Sequence, residues 1–144
     1  MRLIASVAVL IILEDSSFLL QHRDDSPQIF FPGKIGLFGG EIEAGESASE
    51  AAIREIREEL SIEILGPELV QVLCLDSEVN QRFRRRHYFL SKVTCEQSNQ
   101  IRLREGQGII RVFGGDLKYD SVAFVPYDLA FLLEFIGNFS REPN

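Results

Sequence analysis

The sequence predicts a domain of mixed α and β structure, with helices packed on a sheet. Three observations predict it. An apolar run from Leu3 to Leu13, with Val7, Val9, Ile11 and Ile12, reads as a buried strand. Ala48, Ala51, Ala52, Ile53, Ile56 and Leu60 recur at helical spacing. Leu129, Phe131, Leu132, Phe135, Ile136 and Phe139 supply an apolar face to a second helix, opened by Pro126-Tyr127-Asp128. Periodicity alone leaves one helical layer undecided.

Taken in order, Glu14 to Ser17 reads as a turn and Phe18 to His22 as the second strand of a hairpin. Arg23 to Pro27 is a loop, and Ile35 to Phe38 a short strand ending at Gly39. The first helix follows, to about Leu60. Ser47 is a natural N-cap with Glu50 three residues on, a capping box whose loss typically costs about 1 kcal/mol. Glu68 to Leu75 reads as a strand, Asp76 to Asn80 as a turn, and Arg86 to Val93 as a further strand. Thr94 to Gly108 is polar and reads as irregular; Ile109 to Phe113 is a strand broken by Gly114-Gly115-Asp116, and Ser140 to Asn144 a frayed tail.

With 144 residues and 45% hydrophobic content, one domain over 1–144 is expected. A net charge of −7 argues against stable nucleic-acid binding, because neutralising phosphates needs a basic surface. It leaves room for a small anionic substrate that arrives with its metal. Cys74 and Cys95 lack metal-ligand spacing and read as reduced thiols in a cytoplasmic protein. The apolar run after Arg2 faintly suggests a signal peptide, but it is far shorter than the roughly 20 residues that span a bilayer, and no small-residue cleavage pattern follows. No membrane association is expected.

The first helix carries the chemistry. Glu55, Glu58 and Glu59 fall on one arc beside the Ile53, Ile56, Leu60 face, with Arg54 one turn before Glu58. Unit charges about 6 Å apart at an effective dielectric of 20 repel by roughly 3 kcal/mol. The helix C-terminus disfavours each anion by a further 0.3–1 kcal/mol or so. A divalent cation removes both penalties, and hard oxygen ligands suit Mg2+ or Mn2+. A solvated acidic face with one intrahelical ion pair fits the charge pattern equally well.

The spacing of Gly40, Glu46 and the run Arg54-Glu55-Ile56-Arg57-Glu58-Glu59-Leu60-Ser61-Ile62 resembles the signature of the Nudix hydrolases. That pattern has Gly where Ser61 stands; every other defined position matches. The resemblance implies an α/β/α sandwich with a mixed central sheet. It also implies hydrolysis of a nucleoside diphosphate linked to another group, hence a small-molecule nucleotide substrate. Under it, Glu58 and Glu59 are the main metal ligands, and Glu55 binds or assists the metal and can act as base. The Gly39 carbonyl touches metal, Arg54 holds a motif carboxylate in the catalytic group, and Gly40 and Glu46 support the loop. Arg104-Glu105-Gly106-Gln107 resembles a stretch of MutT-type members in which the Glu reaches the metal site from a loop, so Glu105 is a candidate metal ligand or base.

Arg82, Arg84, Arg85, Arg86 and His87 form the one basic cluster, readable as a phosphate clamp or as a soluble hairpin edge. Arg86 is the clamp candidate. Phe38 and Tyr88, with Phe30 and Phe31, are candidates to stack on a base, or else belong to the core. His22 and His87 have no partner spacing that suggests metal. Within the resemblance, a nucleoside triphosphate, oxidised or not, is the leading substrate. Nucleotide sugars, ADP-ribose and dinucleoside polyphosphates are the alternatives, along with a nucleotide sensor without turnover. Such sensors usually lose motif carboxylates, whereas Glu46, Glu55, Glu58 and Glu59 are all present here. The sequence is silent on oligomeric state; a homodimer stays open.

Overall fold

Strand β1, Leu3–Ile12, runs through the middle of the molecule and is covered on both faces. The computed structural model describes residues 3–113 and 121–139; the Gly114-Gly115-Asp116 break and the tail from Ser140 lie outside them. Along β1 the side chains alternate, as strand geometry requires. Val7, Val9 and Ile11 face one core with Ala51, Ala52, Ile56 and Leu60 of helix α1, Ala48–Leu60. Ala8 and Leu10 face another with Leu129, Phe131 and Leu132 of helix α3, Pro126–Phe139. A strand buried on both faces reads as a continuous apolar run, which is why Leu3 to Leu13 looked faintly like a leader.

The sheet is mixed. β1 pairs antiparallel with β2, Phe18–His22, and with β4, Phe38–Glu41, and parallel with β6, Arg82–Lys92. Strands β3, Ile35–Gly36, and β7, Gly108–Val112, pair with β2, and β5, Leu69–Val79, pairs with β6. With α1 and α3 on opposite faces, this is an α/β/α sandwich.

Three local expectations need correction. The expected turn at Asp76 to Asn80 is strand: β5 runs to Val79, and the chain reverses at Asn80 and Gln81, both at positive φ. Two such residues make the tight hairpin turn that suits strand twist. Asp76 instead pairs across the hairpin with Arg85 at 2.9 Å. The irregular stretch after Val93 contains a short helix α2, Cys95–Asn99, capped reciprocally by Thr94 and Gln97. On α1, Ile53 is only half-buried, while Glu55 and Glu59 lie on the buried side with Ile56 and Leu60.

Helix α1 is capped as expected, Glu50 N–H donating to Ser47 Oγ at 3.1 Å and Ser47 N–H to Glu50 at 3.3 Å. It ends at Ser61, which is left-handed with φ 61°. A side chain there costs roughly 1 kcal/mol relative to Gly. Ser61 Oγ accepts a 2.6 Å hydrogen bond from Arg104 Nε, which recovers part of that cost. S61G is therefore expected to melt slightly above the wild type, and S61A, which keeps the strain and loses the bond, below it. Thermal melts of the pair check this; S61A matching S61G would show that the helix end is unstrained.

Candidate active site

Helix α1 meets the end of β4 where Gly39 and Gly40 sit. Neither tolerates a side chain. A Cβ on Gly39 (φ +155°) would lie 1.9 Å from the Val7 carbonyl oxygen, and one on Gly40 2.4 Å from Glu55 Oε1. The glycines let the α1 carboxylates press against the strand. Glu59, 1% exposed, accepts from Gly39 N–H at 2.9 Å and from Gln21 Nε2 at 2.7 Å. Glu55, 9% exposed, accepts from Arg54 Nη1 at 3.0 Å and is in hydrogen-bonding contact with Glu59.

Arg54 is the clamp. It grips Glu46 bidentately, Nε to Oε2 at 2.6 Å and Nη2 to Oε1 at 2.9 Å. It also donates to the Glu41 carbonyl, Glu55 and Glu58. That grip holds the Glu46 carboxyl down to about 2. Burial does the opposite to the inner pair: it raises Glu55 and, with the Glu55 charge beside it, pushes Glu59 up to about 9.

The expected convergence of three helix carboxylates needs correcting. Glu55 and Glu59 come together, but Glu58 is half-exposed and turned to Arg54, 3.2 Å away. Arg54 lies one turn back on the same helix and supplies the nearest cation. Among the described residues, no three His, Cys, Asp or Glu side chains are already gathered as a ligand set. The donors nevertheless suit a hard divalent cation. Two buried carboxyls lie side by side, Glu59 without an ion pair among the described residues, and the atoms they offer a metal are all oxygens.

Glu105 is exposed, yet its loop is lashed over the end of α1. Arg102 N–H donates to the Leu60 carbonyl and Arg104 N–H to the Glu59 carbonyl, two of the helix's last acceptors. Gln107 N–H ties the other side of the loop to His22 O at 2.8 Å. The Glu105 charge is near enough to raise the proton affinity of Glu59.

The substrate-side candidates divide differently from expectation. Phe38 and Tyr88 are fully buried and cannot stack on a base: Phe38 packs in the α1 core, and Tyr88 stacks on Phe131 at 4.4 Å in the α3 core. Arg86 lines the cleft, but its guanidinium is committed to Asp128, Nε at 2.9 Å and Nη2 at 3.2 Å, with a further bond to the Val7 carbonyl. It is an anchor rather than a mobile clamp. Alternation along β6 buries Arg84 with Arg86 and sends Arg85 outward to Asp76.

The residues that sequence reading missed are Gln21, Arg23, Tyr127 and above all Asp128. Asp128 is 1% exposed and also accepts from Tyr88 Oη at 2.7 Å and Leu37 N–H at 3.0 Å. In sequence it is an acidic residue in the first turn of a helix, a common dipole partner. Beside the Glu55–Glu59 pair opens a cleft of about 300 Å³, lined by Gly39, Gly40, Arg23, Arg84, Phe30 and Tyr127 among others.

A model of the NUDIX domain matches residues 2–134. Dihydroneopterin triphosphate diphosphatase of Escherichia coli (strain K12) is 31% identical over 87 residues, 57% of this chain and 54% of that protein. Nucleoside triphosphatase NudI of Escherichia coli O139:H28 (strain E24377A / ETEC) is 42% identical over 59 residues, 41% of each chain. The chain thus spans about half the length, or less, of the curated relatives it matches. The crystal structure of the MutT protein from Methanosarcina mazei Go1 superposes with a TM-score of 0.77 at 21% identity, covering 98% of this chain and 97% of that one, which shows a shared fold. No helix among the described residues is long and apolar enough to cross a membrane.

Proposed function

Because the chain belongs to the Nudix family, we propose that it hydrolyses a pyrophosphate bond in a nucleoside diphosphate linked to another group, with Mg2+ or Mn2+ as cofactor and a nucleoside triphosphate as the leading substrate. The observation that carries this reading is the buried Glu55–Glu59 pair, braced by Arg54 and pressed against Gly39-Gly40, which line the cleft. The triphosphates in the names of both curated relatives support it further.

Glu55, Glu58 and Glu59 would hold the metal, with the Gly39 carbonyl and Glu105 at its edge. A bound divalent cation neutralises the pyrophosphate and acidifies water. The chain's own residues do the rest. Gly39 N–H and Gln21 fix the Glu59 carboxyl in one orientation. Arg54 holds Glu55 and keeps the Glu46 loop closed on the helix. Glu105 or Glu55 takes the proton from the attacking water. Oxygen attacks phosphorus in line, the far P–O bond breaks, and positioning carries most of the catalysis.

The direct test is turnover with Mg2+ on nucleoside triphosphates, oxidised nucleotides, nucleotide sugars, ADP-ribose and dinucleoside polyphosphates, with products identified. Monophosphate and pyrophosphate from a triphosphate are expected; binding without turnover of any member would support the sensor reading instead. E105Q is expected to lower kcat by about 10²-fold or more if Glu105 is the base, with little change in melting temperature. E96Q, in exposed α2, is the control. Equal, small effects from both would return the proton transfer to Glu55.

A further inference from the structure

Arg84 has a hydrogen-bonding pattern that the protein leaves incomplete. It lines the cleft and is 7% exposed. Its guanidinium carbon lies over the Phe30 ring, 3.7 Å from the centroid, and Nη1 donates to Tyr127 Oη at 3.0 Å. Nε is buried and finds no acceptor among the described residues. Nη2, which shares the side-on fork with Nε, has the Glu41 carboxylate at 4.0 Å as its charged neighbour among the described residues. Buried donors without acceptors are costly and rare, and Arg86, two residues on, shows the fork filled by Asp128.

We propose that Arg84 reads the base of the substrate, selecting a ring that turns a carbonyl toward it over one that turns an amino group. This rests on the reading above that the ligand is a nucleotide. A guanidinium only donates, so an amino group at this edge leaves donors facing donors, while a ring carbonyl, alone or beside an unprotonated ring nitrogen, fills the fork. The neighbours favour a ring over a phosphate. Glu41 also lines the cleft, and its carboxylate 4.0 Å from Nη2 disfavours a second anion at that edge. Phe30, Phe31 and Tyr127 give the cleft flat apolar walls. Phe30 covers a face of the guanidinium and not the in-plane edge along which its N–H groups point.

The test compares ITP with ATP and UTP with CTP, pairs that exchange carbonyl for amino at one ring position. Two readouts are taken: kcat/KM with Mg2+, and melting-temperature shifts with Ca2+ in its place. The wild type is expected to favour ITP and UTP by about tenfold or more. In R84K, which keeps the charge and loses the fork, and in R84Q, the ratios are expected to fall to within about threefold. Hydrolysis of all four without preference overturns this proposal and leaves the hydrolase reading standing. Preference in the melting shifts without hydrolysis does the reverse. No binding and no hydrolysis overturns both. A uniform loss across the four nucleotides in R84K makes Arg84 a phosphate or sugar contact and overturns the proposal, and the wild-type ratios test it even if neither variant folds.

Discussion

Glu59→Gln is expected to lower kcat/KM by on the order of 10²-fold or more, since it removes a buried anion that would help hold the cation. The fold is expected to survive. A Gln amide oxygen can still accept from Gly39 N–H, and Gln21 can turn its own amide to accept from the new NH2. Stability in the absence of metal separates this from simple damage. Because burial and Glu55 push Glu59 up to about 9, the folded wild type binds more protons than the unfolded chain from about pH 4.5 to 9. Stability of the metal-free protein is therefore expected to fall as pH rises through that window. Added Mg2+ is expected to restore it, by linkage, and E59Q to flatten the pH profile. Melts at pH 5, 7 and 8.5, with and without Mg2+, read all three effects. Full activity of E59Q at limiting metal would sink the assignment.

Asp128→Asn is expected to be strongly destabilising. The wild-type carboxylate takes four hydrogen bonds, from Arg86 Nε and Nη2, Tyr88 Oη and Leu37 N–H, while almost wholly buried. Asn is neutral and offers one acceptor oxygen, so Arg86 becomes a buried cation without a counter-charge. Breaking a buried pair in this way costs about 3–5 kcal/mol, or roughly 10–17 °C in melting temperature for a chain of this size. R86M/D128N removes the orphaned charge and is expected to regain part of the loss. Urea melts of the three proteins measure it; D128N within about 1 kcal/mol of wild type would mean that Arg86 has found another partner.

What local pattern encodes was legible in the chain. The capping box at Ser47 and Glu50 depends on residues three apart, and the double burial of β1 follows from its apolar run. The left-handed end of α1 at Ser61 followed from the resemblance, which puts Gly at that position. Hairpin register was less legible, because Asp76 and Ser77 are turn formers by composition, yet in the protein they pair across the sheet with Arg85 and Arg84.

By itself the sequence determined the helix that carries the carboxylates and the chemistry of hard oxygen ligands; that Gly39 and Gly40 let this helix close on the strand shows only in the fold. Tertiary structure decided which carboxylates are buried. Helical spacing alone sorts side chains around an axis; only packing against β4 chooses Glu55 and Glu59 for the inside and leaves Glu58 to Arg54. It also decided which arginine serves the cleft. Arg84 and Arg86 share one face of β6, but Asp128, more than 40 positions downstream by the 42-residue separation from Arg86, saturates Arg86 and leaves Arg84 unfilled. A hydrogen bond between residues so far apart leaves no periodic trace in the chain, because it depends on where the α3 N-terminus docks.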